Sequence, residues 1–284
     1  MSSIRVAYSP DADDAFMFWA IAQRQIDTRG LEFAWQKADT EALNRAAEST
    51  SAPDVSAVSI HQYAYLNDRY LLLPHGGSVG VGYGPVVVAP RQLRVEQLSG
   101  LRIGVPGLRT TAYLTLRLLV PNFQAVVLPV APFRRVFAAL EDGEVDAAVL
   151  IHEGRLLYAD EGLHCALDLG EAWQRETGLP LPLGGNVIAR SLGPERIARV
   201  SDVLRSSIRY ALEHRDTVLR ALVGAETREG VPRDPALFDR YLAMYANQDT
   251  LDYGPEGRRA ISVLLDRGHA AGIIPHPVHV EFAP

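Results

Sequence analysis

Two histidines sit at matching places in the chain. His61 follows an apolar run in "VSAVSIHQYAYL", and His152 follows one in "VDAAVLIHEGRLLY". Imidazole can take up a proton near neutral pH, so each is a candidate general base. Each also has a plainer reading, a strand-end ring bonded to a backbone carbonyl. Adjacent strand residues face opposite sides, so Glu153 is expected to point away from the His152 ring. Three carboxylates, Asp11, Asp13 and Asp14, crowd the stretch "SPDADDAFMFWA". Acids in the first turn of a helix cap free amides and suit the positive end of its dipole. Asp13 or Asp14 as N-cap accounts for one or two of the three. Asp14 is expected to cap or orient, with one other carboxylate facing a cleft to bond the hydroxyls of a sugar-like ligand. Thr110 and Thr111 follow "VPGLR" and open a helix. Capping alone explains them, while N-terminal amides and two hydroxyls could also hold a carboxylate, with Arg109 assisting. Ser59 closes the strand before His61 and offers a hydroxyl there.

The surrounding segments must place these groups. Strand-like runs ("IRVAY", "LEFAWQKA", "DVSAVS", "AVVLPV") alternate with amphipathic helical stretches, which predicts an α/β fold with crossover helices. An Asp-Thr cap with Glu41 behind it opens the helix "DTEALNRAAES". Glycines 76, 77, 80, 82 and 84 feed the strand "PVVVAP" rather than opening a helix. A phosphate loop is therefore disfavoured, and a flexible connection between lobes is expected. The segments around His61 and His152 share one order: helix, turn, apolar strand, Ile-His, then Tyr and Leu. That weak repeat predicts two lobes of similar build with a cleft at the carboxyl ends of their strands. The expected division is residues 1–86 plus 190–284 for lobe 1 and 87–189 for lobe 2. Strands crossing near Tyr83–Ala89 and Asn186–Arg190 would join them, with the C-terminal helices packing on lobe 1. The proline-rich tail "IIPHPVHVEFAP" is expected to lie over the surface. Trp19, Trp35 and Trp173 are read as core.

Bulk properties narrow the function classes. The chain has 284 residues, 48% hydrophobic and 22% charged, ordinary values for a globular protein. A net charge of −6 with no basic run argues against nucleic acid and anionic membrane as partners. No apolar run reaches the ~20 residues of a membrane helix. The lone Cys165 and a start without a secretion pattern lead to the expectation of a cytoplasmic protein. His75 reads as a loop residue. His164, His214, His269, His276 and His279 lack companions at metal-ligand spacing, so no metal is expected.

The blocks "SPDADDAFMF", "TEALNRAAE", "VSAVSIHQYAYL", "GVGYGPVVVA", "VPGLRTTAYL", "LEDGEVDAAVLIHEGR" and "DLGEAWQRETGLPLPLGG" occur in this order over nearly the whole chain. Together they resemble the 1,4-dihydroxy-6-naphthoate synthase family of the futalosine route to menaquinone. "IHEGR" and "TGLPLPLGG" are the specific blocks. The resemblance implies a two-lobe periplasmic-binding-protein-like fold of type II. It also implies a lyase without cofactor that cleaves cyclic dehypoxanthinyl futalosine to 1,4-dihydroxy-6-naphthoate and a three-carbon fragment. His152 is then the base. The substrate, a small molecule with a carboxylate and sugar-like hydroxyls, would meet Ala57, Val58, Ser59, Thr110, Thr111, Asn44 and Asp14. Two departures stand out. Many members read Ser-Pro-Cys-Pro-Asn-Asp where this chain has Ser9 to Asp14, so Asp13 replaces an amide, and some carry Lys where Ala57 stands. A chorismate dehydratase of the sister family and a non-catalytic solute-binding protein are the alternatives.

Overall fold

A computed structural model describes residues 3–129 and 132–284. Strands and helices alternate through the first two thirds. The order is β1 (Ile4–Tyr8), α1 (Ala12–Ala22), β2 (Phe33–Lys37), α2 (Thr40–Glu48), β3 (Val55–Ser59), α3 (Ile60–Tyr63), β4 (Tyr70–Leu72) and β5 (Ser78–Gly80). Then come β6 (Val86–Ala89), β7 (Arg102–Val105), α4 (Thr111–Leu119), β8 (Gln124–Val127), α5 (Phe133–Glu141), β9 (Ala147–Leu150), α6 (Gly154–Leu157), β10 (His164–Asp168), α7 (Leu169–Thr177) and β11 (Leu181–Ala189). Helices α8 (Pro194–Glu213), α9 (Arg215–Ala225), α10 (Pro235–Tyr245), α11 (Gln248–Leu251) and α12 (Gly254–Ala270) follow.

These strands form two sheets, ordered β2-β1-β3-β11-β4 with β5 added on β11, and β10-β6-β9-β7-β8. Parallel pairs β1/β2, β1/β3, β7/β8 and β7/β9 need crossover helices, which α1, α2, α4 and α5 supply. The chain changes sheet twice, through residues 81–85 and residues 178–180. The boundaries expected at 86/87 and 189/190 therefore compare with sheet changes just before β6 and just before β11. All of β11 pairs within the first sheet, with Gly184 opposite Ser59 and Asn186 opposite Ala57.

Local signals explain the element ends. Asp39 caps α2 by accepting from the Ala42 amide. Asp168 caps α7 through the Gly170 and Glu171 amides, and Gly178 ends it in the left-handed region. Segment 81–85 passes so close to α7 that a Cβ on Gly170 would lie 2.0 Å from the Tyr83 carbonyl carbon. Both positions near that crossing demand glycine for space, which accounts for Gly84 and Gly170 together.

The C-terminal helices return to the first sheet. Ile197, Val200, Val203 and Leu204 of α8 share a core with Val6, Met17 and Val55. Trp173 is fully buried in the other large core, and Trp19 and Trp35 pack against cores while partly exposed. The tail is not helical. It pairs with β4, where the Leu72 amide donates to Glu281 and the Ala283 amide donates to Leu72, shielding a sheet edge.

Candidate active site between the two sheets

A cleft with an empty volume of about 760 Å³, counted out to its open mouth, lies between the sheets. Ala57, Val58 and Ser59 at the end of β3 form one wall, beside Leu183 to Gly185 of β11. Ile151, His152, Thr110, Thr111 and Ala112 form the facing wall, and Asp13 and Asp14 lie at its acidic end beside Tyr241 and Tyr245 of α10. The two walls thus come from strand ends and helix starts, where chain direction brings free amides together.

Asn44 is fully buried and does not line the cleft. It stands behind Ser59: the Ser59 amide donates to Asn44 Oδ1 at 3.0 Å, and Asn44 Nδ2 donates to Ser59 Oγ at 3.2 Å. In this structure Asn44 supports Ser59 from behind the cleft wall. An amide side chain suits this place because it can donate and accept at once.

The two threonines are also occupied. Thr110 Oγ1 donates to the Gly107 carbonyl at 2.7 Å and accepts from the Tyr113 amide at 3.3 Å. Thr111 Oγ1 donates to the Leu183 carbonyl at 2.6 Å and accepts from the His61 amide at 3.2 Å. Thr111 thereby ties α4 of the second sheet to β11 and α3 of the first. What remains free for an anion is the start of α4, where the first amides have no carbonyl one turn earlier within the helix. Arg109 does not line the cleft; its guanidinium lies over the Tyr65 ring, 3.3 Å from the centroid.

The acidic cluster divides its work. Asp11 is the N-cap residue of α1, yet its side chain makes no capping bond. The N-cap expected at Asp13 or Asp14 thus falls two or three residues earlier, at Asp11, because the helix begins at Ala12. Asp14 reaches back to accept from the Ser9 amide at 2.7 Å, orienting the turn. Burial and the nearby charges of Asp13 and Asp11 push the Asp14 carboxyl well above the usual range, against the pull of the Ser9 amide. Asp13 accepts from the Ser78 hydroxyl at 2.7 Å and the Tyr241 hydroxyl at 3.1 Å. Burial beside that carboxylate raises Tyr241, so it stays a phenol donor. Both Asp13 and Asp14 therefore face the cleft, one as acceptor and one inclined to carry a proton.

His152 lies two residues beyond β9, in a turn rather than on the strand, with φ of 52°. A left-handed backbone is uncommon for a residue with a Cβ and clusters at functional sites. Ring Nδ1 is shut off from solvent and lies 3.1 Å from Asp11 Oδ2, off the alignment of a full hydrogen bond. The ring itself lines the cleft. Asp11 Oδ1 meets Arg228 Nη1 at 2.6 Å. The same guanidinium holds Glu153 Oε1 at 2.7 Å and Glu226 Oε2 at 2.5 Å. Glu153, fully buried, thus points away from the imidazole as expected and into the arginine fork. Burial pulls the Arg228 guanidinium down, but the three carboxylates more than offset this and hold it charged.

The family model for menaquinone biosynthesis matches residues 4–270. This chain belongs to that family. It is 37% identical over 278 residues to a Streptomyces coelicolor protein named 1,4-dihydroxy-6-naphthoate synthase, covering 96% of this chain and 95% of that one. A Thermus thermophilus protein of the same name is 36% identical over 284 residues, covering 99% and 100%. A crystal structure of an Archaeoglobus fulgidus protein superposes with a TM-score of 0.87 at 42% identity, covering 95% of this chain and 98% of that chain. The alkanesulfonate-binding protein SsuA from Xanthomonas axonopodis pv. citri, solved with MOPS, matches at a TM-score of 0.72 and 18% identity, covering 99% and 96%. The second of these structures shows the fold alone, the two-lobe build of periplasmic binding proteins.

Within this member of the family, the structure brings His152, Asp14, Ala57, Val58, Ser59, Thr110 and Thr111 to one cleft. Arg228, Glu226, Tyr241 and Tyr245 carried no sequence signal. They arrive from C-terminal helices and a loop more than 200 residues beyond the acidic turn, and only the tyrosine spacing i, i+4 hinted at a shared helix face. Among the described residues, no three His, Cys, Asp or Glu side chains are grouped to hold a metal ion.

Proposed function

We propose that this chain cleaves cyclic dehypoxanthinyl futalosine to 1,4-dihydroxy-6-naphthoate and a three-carbon fragment, with His152 as the general base. The observation that carries the reading is the His152 ring in the cleft, with its Nδ1 edge sheltered beside a carboxylate. The names of the two relatives supply the product, and the family resemblance supplies the substrate. Breaking a carbon–carbon bond next to a carbonyl begins with loss of a proton, which a neutral imidazole can accept. Asp13 suits sugar-like hydroxyls as an acceptor, and a protonated Asp14 suits a carbonyl oxygen that gains charge as the bond breaks. Among the described residues, no Lys or Arg lines the cleft. The substrate carboxylate is therefore assigned to the amides at the start of α4, beside Ser59. The proposal includes a cytoplasmic place for the reaction. It is supported by the single cysteine and by the lack, among the described residues, of any helix long and apolar enough to cross a membrane.

The test is incubation of the purified protein with cyclic dehypoxanthinyl futalosine and chromatography for the naphthoate. Product from the wild type and none above background from His152→Asn supports the reading. Binding without turnover in the wild type would instead favour a solute-binding role.

A further inference from the structure

The cluster behind His152 lies outside the cleft wall, and its cost to the fold needs a reason. Arg228 gathers three carboxylates, Asp11, Glu153 and Glu226, all less than a tenth exposed. Paired or not, buried charges of this density are expensive, and replacing them with packed apolar side chains is often neutral or stabilising. Asp11 is the member that bridges outward. One of its oxygens is fixed by Arg228 at 2.6 Å, leaving the other 3.1 Å from Nδ1 of His152. Glu153, the next residue in the chain, anchors the same turn to the same guanidinium from the other side. The left-handed His152 thus sits between an Asp and a Glu that share one arginine, and its Nδ1 has no other acceptor.

We infer that Asp11 and Arg228 are the positioning residues of this site: Arg228 fixes Asp11, and Asp11 holds the proton of His152 on Nδ1 so that Nε2 faces the substrate as the acceptor. This inference rests on the reading of His152 as the base. A neutral imidazole can accept at only one nitrogen, and the partner of the other nitrogen decides which. The Nδ1–Asp11 contact is off line without ligand. Such bonds often tighten only in the complex with substrate. When Nε2 takes the substrate proton, the imidazolium that forms lies against the Asp11 carboxylate, which stabilises it. Arg228, 2.6 Å from its other oxygen, stops that carboxylate turning away. A guanidinium suits the role because its fork can serve several carboxylates in one plane.

The test uses Asp11→Asn, Arg228→Lys and His152→Asn in the full-length protein. It adds nitrogen NMR of histidine-labelled wild type, in which His152→Asn assigns the signal. The wild type is expected to carry its neutral His152 proton on Nδ1. Asp11→Asn should shift that population toward Nε2 and lower kcat by roughly 10- to 10³-fold, part of the ~10²–10⁴ a general base contributes, with KM little changed. Arg228→Lys, which keeps the charge without the fork, should fall between Asp11→Asn and wild type. A wild-type proton on Nε2 overturns the inference, and that measurement needs neither Asp11→Asn nor Arg228→Lys to fold. So does wild-type kcat in Asp11→Asn while His152→Asn is inactive. Near-normal turnover in His152→Asn is a different result, because it removes the base itself rather than its positioning.

Discussion

The two Ile-His sequences end in opposite surroundings. Both follow fully buried strands, β3 and β9, each pairing in parallel with an earlier strand of its own sheet, β1 and β7. His61 continues directly into α3 and is 1% exposed. Its Nδ1 lies 3.3 Å from the Thr110 carbonyl and so donates, while Nε2 is buried without a partner. Burial, with Arg109 nearby, pushes the ring's pKa down to about 4 despite the pull of that carbonyl. It stacks on Tyr113 and meets Tyr65 edge-on, as part of the packing that joins the halves. His152 instead leaves its strand through a left-handed turn, which swings the ring out to the cleft beside Asp11. The same dipeptide thus becomes a neutral packing group in one half and a ring that lines the cleft in the other. What differs is the residue after it. Gln62 continues the helix, whereas Glu153 is captured by Arg228 and holds the turn.

The largest test of this contrast is on turnover. His152→Asn keeps size and some hydrogen bonding but cannot accept a proton at neutral pH. Its kcat should fall by about 10²–10⁴, with circular dichroism and melting temperature close to wild type because the ring faces the cleft. His61→Asn should cost much less activity. The assignment of roles is reversed if His61→Asn abolishes turnover while His152→Asn preserves it.

The second test separates the rings by pH. His61 takes its proton with a pKa near 6.5 when unfolded and about 4 when folded. Between those values the unfolded chain binds the proton more readily. The stability that His61 contributes is therefore complete above pH 6.5 and lost as pH falls toward 4. At pH 5 the loss is about 2 kcal/mol for such a ring. His75, also lowered to about 4 by burial, adds a loss of the same sign. Asp14, raised in the folded state, gains stability as pH falls and partly masks both. A comparison of wild type with His61→Asn removes the other two contributions. The difference in melting temperature between the proteins should shrink or turn in the variant's favour from pH 7 to pH 5. A constant difference would mean that His61 is not held neutral.

Much of this was readable beforehand because local rules governed it. The alternation of strands and helices, the Asp39 cap and the two Ile-His ends all follow from spacing and cap chemistry over a few residues. The acidic turn was readable as a site but not in its parts. Which oxygen faces the cleft depends on Ser78, Tyr241 and Arg228, which are brought there by the return of the C-terminal helices. The hydroxyls of Thr110 and Thr111 looked free from sequence. Their acceptors are backbone carbonyls, one of them across the sheet boundary, and no residue type announces such a partner.

That last point gives the smallest and sharpest test, Thr111→Val. The hydroxyl is the one side-chain link between the His61 amide and the Leu183 carbonyl. Valine fills the same volume and leaves both backbone groups without their partner in a buried place. The expected loss is roughly 1–3 kcal/mol, seen as a fall in melting temperature of about 2–4 °C for each kcal/mol in a chain of this size. The α4 amides assigned to the substrate carboxylate are untouched, so KM should rise only modestly. If the hydroxyl instead served the substrate directly, KM would rise strongly and the melting temperature would hold. The two readings of Thr111 therefore move different observables. The clamp reading also predicts a consequence for His61: with its amide released, the ring loses part of its shelter, and the pH dependence of stability between 6.5 and 4 should flatten in Thr111→Val as it does in His61→Asn.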